Sequence, residues 1–141
     1  MTHSLIPALF FTVALLVTTA YFLLGAVPLL VLEHDTPLDG RFVRGFFNTY
    51  YLAVMFTASG AALSYAWVGR FGFGAGAAGL ALLAAMLRKK FLPRMDHLRA
   101  RIEAGHAEAI AGFRRLHVAA ILMNVTQLAL IVWTLIAFSL K

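Results

Sequence analysis

The feature that most constrains the fold is an apolar stretch at residues 113–140. Its length is sufficient to cross a bilayer, because about 20 apolar residues span the hydrocarbon core. The stretch nevertheless contains His117, Asn124 and Gln127. A membrane helix retains polar groups only where protein, water or a ligand satisfies them. We therefore predict a membrane helix whose polar face points into the protein.

Composition supports the same class. Hydrophobic residues make up 62% of the 141-residue chain and charged residues 13%, whereas a soluble domain is about half apolar and a quarter charged. We predict one all-α domain over residues 1–141, an antiparallel up-down four-helix bundle joined by short links. Its spans are predicted at about residues 5–32, 46–68, 71–92 and 113–140, the first being retained because MTHSLIP lacks the basic residues of a signal peptide.

The positive charge is concentrated between the third and fourth spans. Pro93 is expected to end the third helix, and residues 93–112 to form a separate helical loop. Eight of the twelve basic residues lie between positions 88 and 115. The positive-inside rule places this loop in the cytoplasm of a bacterium, so a multi-pass inner-membrane protein with both termini periplasmic is predicted. Residues expected to meet anionic lipid headgroups are Arg88, Lys89, Lys90, Arg114 and Arg115. The cluster lacks the interleaved aromatic residues of a nucleic-acid surface.

Polar residues within the spans define a candidate ligand-binding face. His117 and Asn124 are seven residues apart and share one side of the fourth helix. On the second span, Asn48, Tyr51, Met55 and Ser59 follow the same period. The two stripes are expected to face each other, either for hydrogen bonds between helices or around a small ligand or ion. The candidate binding residues are His117, Asn124, Asn48, Tyr51 and Gln127.

The third span carries a face of small residues. Gly72, Ala75, Gly76 and Gly79 recur at helical spacing, which lets another helix approach closely. We therefore predict that Gly72, Gly76 and Gly79 are packing residues. Their partner would be another helix of this chain, another membrane protein or a second copy.

Other histidines and motifs give no catalytic assignment. His34 lies in Glu33-His34-Asp35, where consecutive side chains cannot converge, so it is expected to be solvated. Glu103 and His106 share a helical face but form a single motif, where di-iron bundles need two. No metal site, cofactor or catalytic residue is predicted, the chain has no cysteine, and the known nucleophile, phosphate-binding and dinucleotide motifs are missing. These observations favour a role other than catalysis.

Several short motifs resemble a known family. The segment FLPRMDHLR at residues 91–99, FRRLH at 113–117 and then Asn124 are similar to a pattern in small bacterial four-span proteins related to the transmembrane protein 205 family. Phe47-Asn48-Thr49-Tyr50-Tyr51 after Pro28-Leu29-Leu30-Val31 also fits. The chain differs by having Ala120 where the family has serine, and Thr18-Thr19-Ala20 where it has glycines. The resemblance implies four spans and the same topology, but the family's biochemical role is largely unknown.

Three functions follow as hypotheses. The first is an accessory or structural subunit that packs with other membrane proteins through the glycine face. The second is a protein that binds or transports a small molecule or ion at the polar face; the lack of deeply placed charges disfavours a proton-coupled transporter. The third is a redox protein in which His117 contacts haem or quinone.

Overall fold

A computed structural model describes residues 5–140, which form four long α-helices and no β-strand within that range. The helices are α1 (Ile6–Ala26), α2 (Pro37–Trp67), α3 (Phe71–Glu103) and α4 (Glu108–Ser139), and a 3-10 helix (Pro28–Val31) follows α1. The all-helical fold class predicted from the sequence is therefore confirmed. His3, expected to be solvated, lies outside the described residues.

Within residues 5–140, three helical segments are long and apolar enough to cross a membrane. They are Ile6–Val31, Phe71–Glu103 and Glu108–Ser139. Helix α2 is long enough as well, but tyrosine, serine and threonine make it less apolar. Large apolar side chains are exposed on all four helices, as at Phe10, Phe56, Leu82 and Leu122. Such a surface is typical of a protein that faces lipid.

Each helix contacts the next along the chain, and α1 also contacts α4. The links before α2 and before α4 lie at one end of the molecule, which we call the basic end. Near the other end, the terminal end, Thr12 of α1 is hydrogen-bonded to Tyr65 of α2, and the Tyr65 ring contacts Phe73 of α3 and Phe138 of α4. All four helices thus contribute to the core at both ends.

Turn chemistry explains where the helices begin and end. Glycines with positive φ, Gly69 and Gly105, follow α2 and α3. In each case the amide N–H groups of the glycine and of the residue after it bond back to the last turn in the Schellman pattern, which only a residue tolerant of positive φ supports cheaply. Thr36 caps the start of α2, because its hydroxyl accepts a hydrogen bond from the Asp39 amide. The short links follow directly from these caps.

The predicted boundary at Pro93 is wrong. Helix α3 continues through Pro93 to Glu103, and only four residues separate it from α4. Proline inside a helix costs a hydrogen bond and about 3 kcal/mol. Contacts on either side hold the helix together, because Leu92 and Met95 are buried and Asp96 is paired with Arg44. The predicted helical loop over residues 93–112 is therefore the end of α3 and the start of α4.

Candidate functional site

A pair of buried histidines lies at the basic end. His34 comes from the link after the 3-10 helix and His117 from α4, and both are fully buried. The His34 Nε2 and His117 Nδ1 atoms are 3.2 Å apart. Phe113 lies beside His34 and Phe47 beside His117, with ring centroids 5.5 and 5.4 Å away. Two imidazoles thus share one hydrogen bond inside an aromatic pocket.

The partners of the pair determine its tautomers. His117 Nε2 is 3.2 Å from the Ala26 carbonyl oxygen, which can only accept a hydrogen bond. The Nε2 proton of a neutral His117 therefore goes to Ala26, and His117 Nδ1 must accept from His34 Nε2. His34 Nδ1 is then left as a buried lone pair without a hydrogen-bond partner. The chain of donors runs in one direction, from His34 through His117 to the end of α1.

The backbone of His34 is strained. Its φ of 61° lies in the left-handed region, which non-glycine residues rarely occupy. Arg114 of α4 secures the preceding turn, since its guanidinium donates to the carbonyl oxygens of Leu30 and Leu32 at 3.2 and 3.5 Å. Backbone strain persists where the surrounding structure holds it, and it is concentrated at sites of function.

A second polar group lies deeper between α2 and α4. The Tyr50 hydroxyl is 2.8 Å from Asn124 Oδ1 and also contacts Gln127 Oε1. A phenol has one proton, so it can donate to only one of these oxygens. Turning one amide by 180° lets its N–H donate to the Tyr50 oxygen, and the three groups then form a chain. In either orientation, some of the amide N–H donors have no hydrogen-bond acceptor.

Together these residues form what we call the polar cluster: His34, Tyr50, Tyr51, His117, Asn124 and Gln127. Four of its buried atoms have no hydrogen-bond partner, namely His34 Nδ1, the Tyr51 hydroxyl, Asn124 Nδ2 and Gln127 Nε2. A buried polar group without a partner costs about 1–3 kcal/mol. The polar cluster therefore has unused hydrogen-bonding capacity in the interior of the protein.

The structure revises the predicted polar face. His117, Asn124, Gln127 and Tyr51 are buried, as the predicted inward face of α4 requires. Asn48 is not among them, because it lies against α3 and accepts a hydrogen bond from Arg88. Ser59 is exposed, so the proposed stripe on α2 is wrong. Whether the remaining residues bind a ligand stays a prediction.

Sequence reasoning missed His34 and Tyr50. His34 was expected to be solvated, which is wrong. Tyr50 belongs to a buried face of α2 that follows the helical period through apolar and aromatic residues, and this periodicity was the available signal. The members of that face are Val43, Phe47, Tyr50, Tyr51, Val54, Ala58, Ala61 and Tyr65. For His34 no local signal existed, since its inward position depends on a left-handed backbone.

A second feature, the glycine cleft, opens between α3 and α4 toward the terminal end. Its volume is about 510 Å³, and Gly72, Gly76 and Gly79 line it together with Trp133 and Thr134. A Cβ atom built on any of these glycines would meet nothing within 4 Å. As a contact inside the chain, the predicted glycine packing is wrong. The α3 glycine that does pack is Gly74, where a Cβ atom would lie 3.2 Å from the Ala62 carbonyl oxygen of α2.

The five cations predicted to meet lipid headgroups fall into two groups. Arg88 and Arg114 are hydrogen-bonded within the protein, whereas Lys89, Lys90 and Arg115 are exposed. Among the described residues there is no group of three or more histidine, cysteine or acidic side chains placed to bind a metal. The exposed cations remain available for contacts outside the chain.

Comparisons with protein-family models, with characterised proteins and with solved structures found no match for this chain.

Proposed function

We propose that this chain is a multi-pass protein of a bacterial cytoplasmic membrane in which all four helices span the bilayer as an up-down bundle. The membrane assignment of α2 is supported by its exposed apolar residues, among them Leu52, Phe56 and Leu63. The concentration of Lys and Arg at the basic end supports a cytoplasmic position for that end and a periplasmic position for both termini. Lys89, Lys90 and Arg115 would contact anionic lipid headgroups there.

Within that membrane its role is that of an accessory subunit, which docks a transmembrane helix of another protein in the glycine cleft. The observation that carries this proposal is the open cleft beside Gly72, Gly76 and Gly79. Small residues let helix backbones approach closely, and van der Waals packing at such surfaces drives helix association in lipid. These three glycines are exposed and make no close contact within the chain. A helix of another protein could therefore pack against them.

Site-specific photo-crosslinking in native membranes tests this role. A crosslinking amino acid at Trp133, which lines the cleft and is exposed, should give a discrete adduct with one other membrane protein. The same amino acid at Val132, which is exposed about 100° round α4 from Trp133 and does not line the cleft, should give lipid adducts only. Gly76→Leu, which fills the cleft, should abolish the Trp133 adduct.

Three outcomes would overturn the proposal: no protein adduct at Trp133, the same adducts at both positions, or an adduct that survives Gly76→Leu. An adduct with twice the mass of this chain would replace the partner by a second copy of itself. Gly45→Leu is a matched control, because Gly45 on α2 also has open space around it but lies outside the cleft.

A second candidate function is favoured by the unpaired atoms of the polar cluster. The Tyr51 hydroxyl and the amides of Asn124 and Gln127 would be satisfied by a small molecule with hydrogen-bonding oxygens or by an ion. Native mass spectrometry of the protein released from membranes would detect such a ligand as a fixed mass increment. Gln127→Leu should remove the increment; an increment that persists, or none in the parent protein, would count against this function.

A redox role and a family relationship have less support in the structure. For a redox role, His117 would have to give up a hydrogen bond before it could contact haem iron, since both of its ring nitrogens are engaged. For a relationship to the transmembrane protein 205 family, the support is that its motif residues include His117 and Asn124, which form contacts between helices in this structure.

A further inference from the structure

The link between the 3-10 helix and α2 places one side chain inside the protein. Glu33, Asp35 and Thr36 are exposed, whereas His34 between them is fully buried. His34 reaches the interior through a left-handed backbone conformation that is unfavourable for a side chain of this size. Its hydrogen bond to His117 and its contact with Phe113 therefore hold a strained segment in place.

Protonation of the histidine pair would destabilise the buried position of His34. In the neutral pair, His34 donates a hydrogen bond to His117, and His117 donates one to the Ala26 carbonyl. An added proton can enter only at His34 Nδ1, the lone pair that has no partner. The result is a buried positive charge on a ring whose Nδ1 atom makes no hydrogen bond in the closed structure. Such a group is far more costly to bury than a neutral imidazole, while water would solvate it fully.

The charged and polar groups around His34 shift its pKa in opposite directions. Arg114 of α4 opposes an imidazolium, whereas Asp39 of α2 and the Leu32 carbonyl favour it. Burial is the largest influence, and together with Arg114 it lowers the pKa of His34 below the ordinary value of 6.5. The other charged groups of the link, Glu33 and Asp35, are exposed to solvent.

We propose that His34 is a proton-operated latch that closes the basic end of the protein when neutral and releases residues 32–36 when protonated. The released histidine would regain its ordinary pKa of 6.5. The open state therefore binds more protons, so closure is favoured above about pH 6.5 and is progressively lost below it. Release also relieves the left-handed backbone and gives water access to His117. This inference does not depend on the partner proposed for the glycine cleft.

Hydrogen exchange of the full-length protein in lipid nanodiscs, read by mass spectrometry, tests the latch. After correction for the intrinsic pH dependence of exchange, the amides of residues 29–36 should exchange about tenfold faster at about pH 5 than at about pH 7.5, whereas the amides of α2 near Tyr51 should not change. Equal corrected rates for residues 29–36 at both pH values would overturn the proposal.

Variants identify the titrating group. His34→Asn tolerates the left-handed backbone and can donate to His117 without titrating, so it should exchange slowly at both pH values. His97→Gln removes an exposed histidine of α3 and should retain the full pH response. If the response persists in His34→Asn, or is lost in His97→Gln, the latch is wrong. Should His34→Asn fail to fold, the wild-type and His97→Gln measurements still decide the question.

Discussion

Helix α3 takes part in two interfaces that are built differently. Toward α2 it packs along its length, with Gly74 against the α2 backbone at one end and Asp96 paired with Arg44 at the other. Toward α4 it packs near both ends, with Leu98 against Gly112 at the basic end and the Phe73 ring against Phe138 at the terminal end. Between these contacts the two helices separate at the glycine cleft. The contact between α3 and α2 is therefore continuous, whereas the contact between α3 and α4 is interrupted by the cleft.

The difference shows what a glycine pattern can and cannot predict. Gly74 and Gly76 are two residues apart, so they point to different sides of the same helix. The regular spacing belongs to Gly72, Gly76 and Gly79, yet the close contact is at Gly74. Spacing identifies a surface that another helix could approach. Which surface is used inside the chain depends on where the connections place the neighbouring helices.

The largest effect is expected at the α2–α3 interface. In Gly74→Leu a side chain would press on the Ala62 carbonyl oxygen, which is backbone and cannot turn away. Overpacking of this kind costs about 2–3 kcal/mol. Unfolding of the purified protein by sodium dodecyl sulfate should therefore occur at a clearly lower detergent fraction. A midpoint equal to that of the wild type would mean that α2 and α3 are not in close contact at this position.

The next largest effect concerns the attachment of α4 to α1. His117→Leu removes the acceptor for His34 Nε2–H and the donor to the Ala26 carbonyl. We expect the free energy of unfolding to fall by about 2 kcal/mol, because both buried groups lose their partner. His117→Gln keeps one acceptor and one donor and should lose much less. Equal stability of the Leu and Gln variants would show that these hydrogen bonds do not hold α4.

A smaller effect is expected where α2 and α3 meet outside the apolar region. The Arg44 guanidinium contacts both carboxylate oxygens of Asp96, but both side chains are more than a third exposed. Such a pair is worth about 1 kcal/mol or less, and Asp96→Ala should reduce stability by that amount, less so at high salt. Glu108→Ala breaks a more exposed pair with Arg101 and should have no measurable effect. Equal losses in the two variants would contradict the ranking.

The smallest effect on the isolated chain is expected in the glycine cleft. Gly76→Leu meets no neighbouring atom near its Cβ, and leucine favours the helix by about 1 kcal/mol over glycine. The purified protein should therefore keep its melting temperature or gain slightly. A large loss would show that α3 and α4 close over the cleft in lipid.

Much of the secondary structure follows from the sequence. Apolar runs of sufficient length predicted four helices, and the part of the chain that the structure describes contains four α-helices. Pro93 was misinterpreted because local propensity disfavours proline within a helix, whereas burial of Leu92 and Met95 stabilises the helix across it. Long-range packing of this kind is not visible in a local pattern.

The candidate site was less predictable. His117 and Asn124 were placed correctly in the interior, because a polar residue in a membrane helix has few alternatives. Asn48 was placed wrongly because polar residues were used to find the inner face of α2, while its apolar and aromatic residues define that face. His34 could not be found, since its position depends on an unusual backbone conformation that is stabilised by a residue 83 positions away.

The hairpin at Gly105 has a practical consequence for imaging this small protein. Helices α3 and α4 contain 33 and 32 residues, which at 1.5 Å per residue gives lengths of about 50 Å, well beyond the roughly 30 Å of a hydrocarbon core. Both helices run unbroken to a four-residue connection that is exposed. A helical domain spliced into that connection would extend both helices as rigid struts, giving electron microscopy a fiducial with a fixed orientation relative to the membrane.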